Sequence, residues 1–185
     1  MTNVIGKALA KHKRRSLEDI AKLVVHRTMD LPVELLIAEY RNTGKFQAGW
    51  YTGGLFPYHF YMPRLGGASH CYQTLPLTAI GPAALRSLNK AGIHVALGGD
   101  FRKEAPPLEQ GQALVILCAK LMDCFDGQLA ILGHTELAGA SKDPSKECPG
   151  KYLNLGILRA SVNASLANTC SKALVPALNE QGIII

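Results

Sequence analysis

Three residues of metal-binding type stand at chemically suggestive places in this chain: His26 at the end of an apolar run, His134 shortly after another, and Cys148 in a polar stretch. Zinc takes imidazole nitrogen and thiolate sulfur tetrahedrally. Three protein donors leave a fourth position for water, which separates a catalytic site from a closed structural one. Taken singly, each residue has an ordinary alternative. A lone histidine occurs in cores and on surfaces, and a lone cysteine packs as a small apolar residue. The chemistry therefore depends on the elements that would bring the three together.

Leu23, Val24 and Val25 form a β-branched apolar run, which predicts a buried strand with His26 at its end. Asp30 is a candidate N-cap and Pro32 falls in a first turn. Val33, Leu36, Ile37 and Tyr40 then repeat at helical spacing, predicting a helix that stops near Gly44. Phe46 to Pro57 reads as a surface loop, and Tyr58 to Met62 with Ala68 to Gln73 as a β-hairpin. Thr74 to Ala91, broken by Pro76, Gly81 and Pro82, reads as a long functional loop. Ile93, Val95 and Leu97 alternate with His94 and Ala96 as a strand does. Leu114, Leu117, Cys118, Leu121 and Phe125 mark one face of a helix that Gly127 can cap. Leu129 to Leu132 predicts a short strand delivering His134, and a last helix is expected over much of Leu153 to Leu166. Alternating strands and helices imply an α/β fold, a sheet with helices packed on it.

The 185 residues, 48% hydrophobic and 18% charged, suit one globular domain rather than a disordered chain. A net charge of +6 favours anionic polymers such as peptidoglycan, wall phosphate or nucleic acid, without choosing among them. Much of the excess lies in Lys7, Lys11, Lys13, Arg14 and Arg15, so residues 1–21 read as a solvated basic extension preceding a domain over 22–185. Ser16, Glu18, Asp19 and Lys22 interrupt any apolar run after it, so no signal peptide is expected and synthesis is placed in the cytoplasm. No stretch approaches the ~20 apolar residues of a membrane span, the terminal Ile183, Ile184 and Ile185 included. Cys71, Cys118, Cys124, Cys148 and Cys170 are odd in number and unpaired in spacing, which argues for reduced thiols; all but Cys148 read as packing residues.

Four motifs occur in order: V-V-H-R-T at Val24 to Thr28, P-Y-H-F-Y at Pro57 to Tyr61, G-H-T-E-L-A at Gly133 to Ala138, and K-E-C-P-G at Lys146 to Gly150. Together they resemble the type 2 N-acetylmuramoyl-L-alanine amidases, the family of the T-odd phage lysozymes and the peptidoglycan recognition proteins. The resemblance runs from about Leu23 to about Leu158 and takes in the strand near Ile93 with G-G-D after it. It implies a mixed β-sheet flanked by α-helices, with a zinc site at one edge of the sheet. His26, His134 and Cys148 are then the zinc ligands, with Tyr58 beside the metal and Lys146 two residues before the third ligand.

Hydrolysis of the amide between the lactyl group of N-acetylmuramic acid and L-alanine is the activity so implied, by a chain expected to be a monomer with no nucleic-acid partner. Zinc acidifies water and polarises the carbonyl. Lys146 would steady the developing oxyanion, and Tyr58 would orient water or help protonate the leaving amine, both as donors because their ordinary pKa values lie near 10. His59 reads as structural, Glu136 as a ligand support or a loop holder, and His12, His70 and His94 as surface or core residues. Two features depart from the family pattern. Related phage enzymes often carry a His-Ala pair where Gly81-Pro82-Ala83-Ala84 stands here, and Arg27 is unusual after the first ligand. A phage endolysin and a cytoplasmic recycling amidase both suit a chain lacking a signal and a wall-binding domain, with the endolysin preferred.

Three other readings compete. A Cys148–His134 thiolate dyad is disfavoured because Pro149 and Gly150, not a helix N-terminus, follow the cysteine. A peptidoglycan-binding recognition protein without hydrolytic activity is the principal alternative, and a basic nucleic-acid binder rests on N-terminal charge alone.

Overall fold

Apolar alternation builds one mixed sheet in the computed structural model, which describes residues 2–3, 13–42, 57–64, 71–84, 86–137, 143 and 146–169. In chain order the elements are β1 (Thr2–Asn3), β2 (Lys22–Thr28), α1 (Val33–Asn42), β3 (Phe60–Met62), β4 (Tyr72–Gln73), α2 (Arg86–Ala91), β5 (Gly92–Gly98), α3 (Leu108–Cys124), β6 (Ala130–Gly133) and α4 (Leu155–Thr169). The sheet order is β1-β4-β3-β5-β2-β6, parallel throughout except for the antiparallel β3–β4 pair. This is the mixed α/β sheet the motifs imply. Among the described residues no helix is long and apolar enough to cross a membrane.

Strand period sends Leu23 and Val25 of β2, Ile93, Val95 and Leu97 of β5, and Phe60 and Met62 of β3 into one core with Leu114, Leu117 and Leu121 of α3 and Leu158 and Val162 of α4. Each such fully buried aliphatic contributes about 1.5–3 kcal/mol relative to exposure. The alternate residues face the other side. There Tyr61 and Ala96 meet Val33, Leu36 and Ile37 of α1, and His26 and His94 share that face.

Several local expectations are corrected. Asp30 does not cap α1; its Oδ1 accepts the Arg64 N–H at 2.7 Å. The predicted loop over 74–91 ends in the helix α2, whose single apolar residue with described packing, Leu88, gives no readable period. Asn89 ties α2 to the preceding turn, accepting from Ala84 N at 2.7 Å and donating to Ala84 O at 2.9 Å. Gly127, at φ +72°, closes α3 by donating to Met122 O at 2.8 Å, and Asn154 caps α4 by accepting from Ile157 N at 3.0 Å.

The basic extension is not uniformly solvated. Lys13 and Arg14 are exposed, but Arg15 is 6% exposed, and Ile20 is buried in the main core. Residues 13–15 run beside 78–80, with Arg15 N donating to Thr78 O and Ile80 N to Lys13 O, each at 2.8 Å. The Arg15 guanidinium donates to Leu77 O (2.8 Å), Asn89 O (3.1 Å), Lys90 O (2.7 Å) and Gly92 O (2.7 Å). The charge run concealed a structural arginine. The expected end of α1 at Gly44, the loop over 46–56, the hairpin turn through Ala68, and Lys7, Lys11, His12, His70, Cys170 and the terminal isoleucines lie outside the described residues.

Candidate functional site

Parallel pairing of β2 with β6 sets Val25 opposite Gly133, so His26 and His134 follow side by side, His134 just beyond β6 and His26 two residues before the end of β2, which runs on to Thr28 rather than stopping at the histidine as expected. Their ring centroids are 4.8 Å apart. The third residue arrives on a loop pinned at both flanks. Thr135 donates through N and Oγ1 to Cys148 O at 2.9 and 3.0 Å, and Arg27 Nε donates to Glu147 O at 2.9 Å. Gly150, at φ +116°, lies so close to Phe101 that a Cβ there would meet its backbone at 2.5 Å. Tyr152 N donates to Phe101 O at 2.9 Å just beyond. The glycine of the K-E-C-P-G motif thus lets the cysteine loop dock against the turn after β5.

Cys148 Sγ lies 3.9 Å from His26 Nδ1, and one ligand atom from each of His26, His134 and Cys148 falls within 4.8 Å of the others. Tetrahedral zinc with Zn–N near 2.0 Å and Zn–S near 2.3 Å places such N and S atoms roughly 3.6 Å apart. The donor set and its spacing fit that ion with modest closure.

Burial sets the protonation of all three. It is the leading cause holding His26 well below the usual histidine range, with the charges of His94 and His134 acting in the same direction, and burial likewise lowers His134. Neutral imidazole is the form that ligates a metal. Burial pushes the Cys148 thiol up to about 11 against the opposing Arg27 N–H, 3.4 Å from the sulfur. A thiol so protonated at neutral pH is a poor nucleophile by itself, which argues against the thiolate-dyad chemistry. A cation of high charge reverses this, because coordination removes the proton.

Tyr58 is buried, with its ring centroid 5.4 Å from that of His26. Lys146 is placed differently. Its side chain is 69% exposed and its Nζ lies 3.9 Å from Asp143 Oδ2, an exposed pair of small energetic value. Glu136 accepts from Gly133 N at 2.8 Å and pairs with Arg159, which also donates to Ile131 O at 2.9 Å. It therefore holds the turn that presents His134. Arg27 bridges outward, its NH1 3.5 Å from Asp100 Oδ1. The Arg102 guanidinium, followed by Arg27, holds the Asp100 carboxyl well below the usual carboxylate range.

Two residues without a part in the sequence-level site lie directly behind it. His94, fully buried, places Nδ1 3.0 Å from His26 Nε2. His59, also fully buried, accepts the His94 backbone N–H on Nδ1 at 3.0 Å. A neutral His59 therefore carries its proton on Nε2 and donates to Ala79 O at 2.9 Å. Arg15 NH2, 3.0 Å from that nitrogen, is a neighbouring donor rather than a bonded one. Gly81 of the departing Gly81-Pro82-Ala83-Ala84 stretch packs over this group, since a Cβ there would meet Pro57 O at 2.4 Å and the His59 ring at 3.0 Å. Strand alternation could have put His94 on the His26 face; the β2–β5 register that makes them partners is not written locally.

Fold and site together define an α/β protein with a candidate His-His-Cys metal centre at the ends of two parallel strands. The family model described as N-acetylmuramoyl-L-alanine amidase matches residues 16–151, and the chain belongs to that family. Among solved structures, the endolysin N-acetylmuramoyl-L-alanine amidase LysCS from Clostridium intestinale URNW is similar at 19% identity, with 88% of this chain and 94% of that one covered and a TM-score of 0.62. The Ph2119 endolysin from the Thermus scotoductus MAT2119 bacteriophage gives 21% identity, 87% and 97% coverage and a TM-score of 0.64. Drosophila PGRP-LB gives 20% identity, 81% and 84% coverage and a TM-score of 0.53. No curated protein matches the sequence. At these identities the solved structures establish the shared fold.

Proposed function

We propose that this chain is a zinc-dependent amidase that hydrolyses the bond between the lactyl group of N-acetylmuramic acid and L-alanine in peptidoglycan, acting as a monomeric phage endolysin. The observation that carries the reading is the convergence of His26, His134 and Cys148 to within 4.8 Å in a member of the amidase family. Zinc held there supplies a Lewis acid for the amide carbonyl and acidifies water. His26 and His134 bind as neutral imidazoles, and Cys148 binds as thiolate, its charge balanced by the ion and by the Arg27 N–H on its sulfur. Tyr58, against the His26 ring, orients water or gives a proton to the leaving amine. Lys146 leaves its exposed partner Asp143 to donate to the oxyanion, so its part in catalysis requires a side-chain swing. The net charge of +6 draws the enzyme to an anionic wall.

The test is mass spectrometry of products from purified sacculi, with and without chelator. Muramic acid with a free lactyl carboxylate and peptides beginning at L-alanine are expected, and chelator abolishes both. New reducing sugar ends without L-alanine amines would overturn the assignment. A second reading, recognition of peptidoglycan without hydrolysis, is favoured by the exposure of Lys146, whose Nζ stands 3.9 Å from Asp143 Oδ2. It predicts retention on sacculi with no released amine.

A further inference from the structure

A neutral imidazole carries one proton, so the nitrogen that binds a metal is decided by where the other nitrogen's proton goes. His26 presents its Nδ1 toward Cys148 Sγ at 3.9 Å and its Nε2 toward His94 Nδ1 at 3.0 Å. These two sides are not equivalent. A lone pair at Nδ1 faces the other ligands only if the proton is on Nε2, and a proton on Nε2 needs an acceptor.

From this geometry we infer that His94 is a positioning residue for His26: its Nδ1 accepts the His26 Nε2–H and so leaves the His26 Nδ1 lone pair facing His134 and Cys148. The inference rests on the zinc site of the proposed function. His94 lies opposite Val24 in the β2–β5 pairing, one strand away from His26 and on the same face. Its main chain is tied to His59, donating to His59 Nδ1 at 3.0 Å and accepting from His59 N at 2.8 Å. Gly92 leaves the room the ring needs, since a Cβ there would stand 3.1 Å from His94 Cε1 and 3.2 Å from Nε2.

With Nδ1 accepting, a neutral His94 carries its own proton on Nε2. His94 Nε2 is buried and has no hydrogen-bond partner among the described residues. Such an imidazole is a costly way to fill a core position that an apolar side chain would fill without an unpaired polar atom. Its one engaged ring nitrogen is the one aimed at His26. Metal-ligating histidines commonly give their second N–H to an acceptor of this kind, and losing that acceptor costs 10–100-fold in metal affinity. Here the acceptor is another histidine rather than a carboxylate or carbonyl, so it orients His26 without adding negative charge to the site.

Two measurements test this. In the metal-free wild type, long-range ¹⁵N–¹H spectra of the histidine rings should show His26 protonated at Nε2; protonation at Nδ1 overturns the inference. Zinc affinity is then measured by competition with a chromogenic chelator for His94→Leu and His94→Asn, which have similar shape but differ in offering an acceptor, with near-UV circular dichroism reporting the fold. His94→Leu should bind zinc about 10–100-fold more weakly than wild type, and His94→Asn should recover much of the loss. Wild-type affinity in a folded His94→Leu, or equal losses in the two folded variants, overturns it. If either variant fails to fold, the wild-type tautomer decides. A wild type that binds no zinc refutes the metal site of the proposed function, and the tautomer still decides the role of His94.

Discussion

Replacing Arg15 by Met would test the most consequential departure of the structure from its charge pattern. Arg15 lies within a run of cations, yet its Nε and NH1 serve four backbone carbonyls, those of Leu77, Asn89, Lys90 and Gly92. Three N–H groups are available for them, because NH1 carries two hydrogens, so one bond is shared. Charge-assisted bonds contribute roughly 1.5–3 kcal/mol each. Against them stands burial, which even after the opposing charge of Asp19 pushes the guanidinium down to about 10, a net cost of about 3 kcal/mol. The balance favours the arginine by a few kcal/mol. Methionine fills the volume but leaves buried carbonyls unpaired, so Arg15→Met should lose about 3 kcal/mol or more, a large part of the ~5–15 kcal/mol of a typical domain. Urea unfolding in the presence of chelator, which removes metal linkage, would read this as a lower midpoint at unchanged slope. Arg14→Met is the control, since Arg14 is exposed and among the described residues its side chain bonds only Thr78 Oγ1, at 3.1 Å; it should change stability by less than about 0.5 kcal/mol. Equal effects of the two substitutions would refute the account.

Elemental analysis of the purified protein should find about one zinc per chain, and Cys148→Ser should lose most of it, because a hydroxyl cannot replace the thiolate charge. Tyr58→Phe and Lys146→Ala should keep the zinc while kcat falls roughly a hundredfold, as for loss of one transition-state donor; single-turnover cleavage on zinc-loaded preparations checks this, and normal rates would end the assignment. Gly150→Ala should lower the melting temperature and weaken zinc binding together, since φ +116° and the Phe101 backbone both oppose a Cβ, and differential scanning calorimetry with metal titration reads the pair. Burial pushes the Cys118 thiol up to about 12, so the unfolded chain deprotonates it above about 9 while the folded chain does not. Its contribution to stability is therefore complete below pH ~9 and declines towards 12. Cys118→Ala should flatten that alkaline decline in urea titrations, and native Cys118 should resist alkylation at pH 8.

What was legible in the sequence is what one element writes by itself. The β2 and β5 strands, the α3 face of Leu114, Leu117 and Leu121, and the closure at Gly127 are local patterns of period and turn chemistry, and all appear as read, save that β2 runs on past His26 to Thr28. The convergence of His26, His134 and Cys148 was legible for a different reason: the motifs carry their own scaffolding. Gly133 and Glu136 build the turn for His134, and Gly150 docks the loop of Cys148. Where a local signal could be answered by a distant partner, the reading failed. Asp30 has the look of a helix cap but serves Arg64, and Arg15 has the look of a solvated cation but is claimed by carbonyls 62 to 77 positions away in sequence. Helix α2 carries too few apolar residues to show a period, and its tie through Asn89 is a side-chain bond that no periodicity reports.

The same division explains why the back of the site escaped notice while its front did not. The face of the sheet opposite α3 and α4 holds a line of polar groups, Arg15, His59, His94 and His26, in contact through distances near 3 Å. Each belongs to a different stretch of chain, and none has a spacing that predicts another. Only sheet order places β5 between β3 and β2 and so puts His94 between His59 and His26. An apolar face here would be simpler to stabilise, because every buried polar atom needs a partner. The polar line is instead anchored on backbone: Ala79 O takes the His59 proton, the His94 N–H fixes its ring, and four carbonyls take the Arg15 charge. A wall anchored on backbone behind His26 follows from those bonds. It holds the His26 ring in one orientation, the preorganisation that the proposed metal site, assembled from separate strands and a loop, would require.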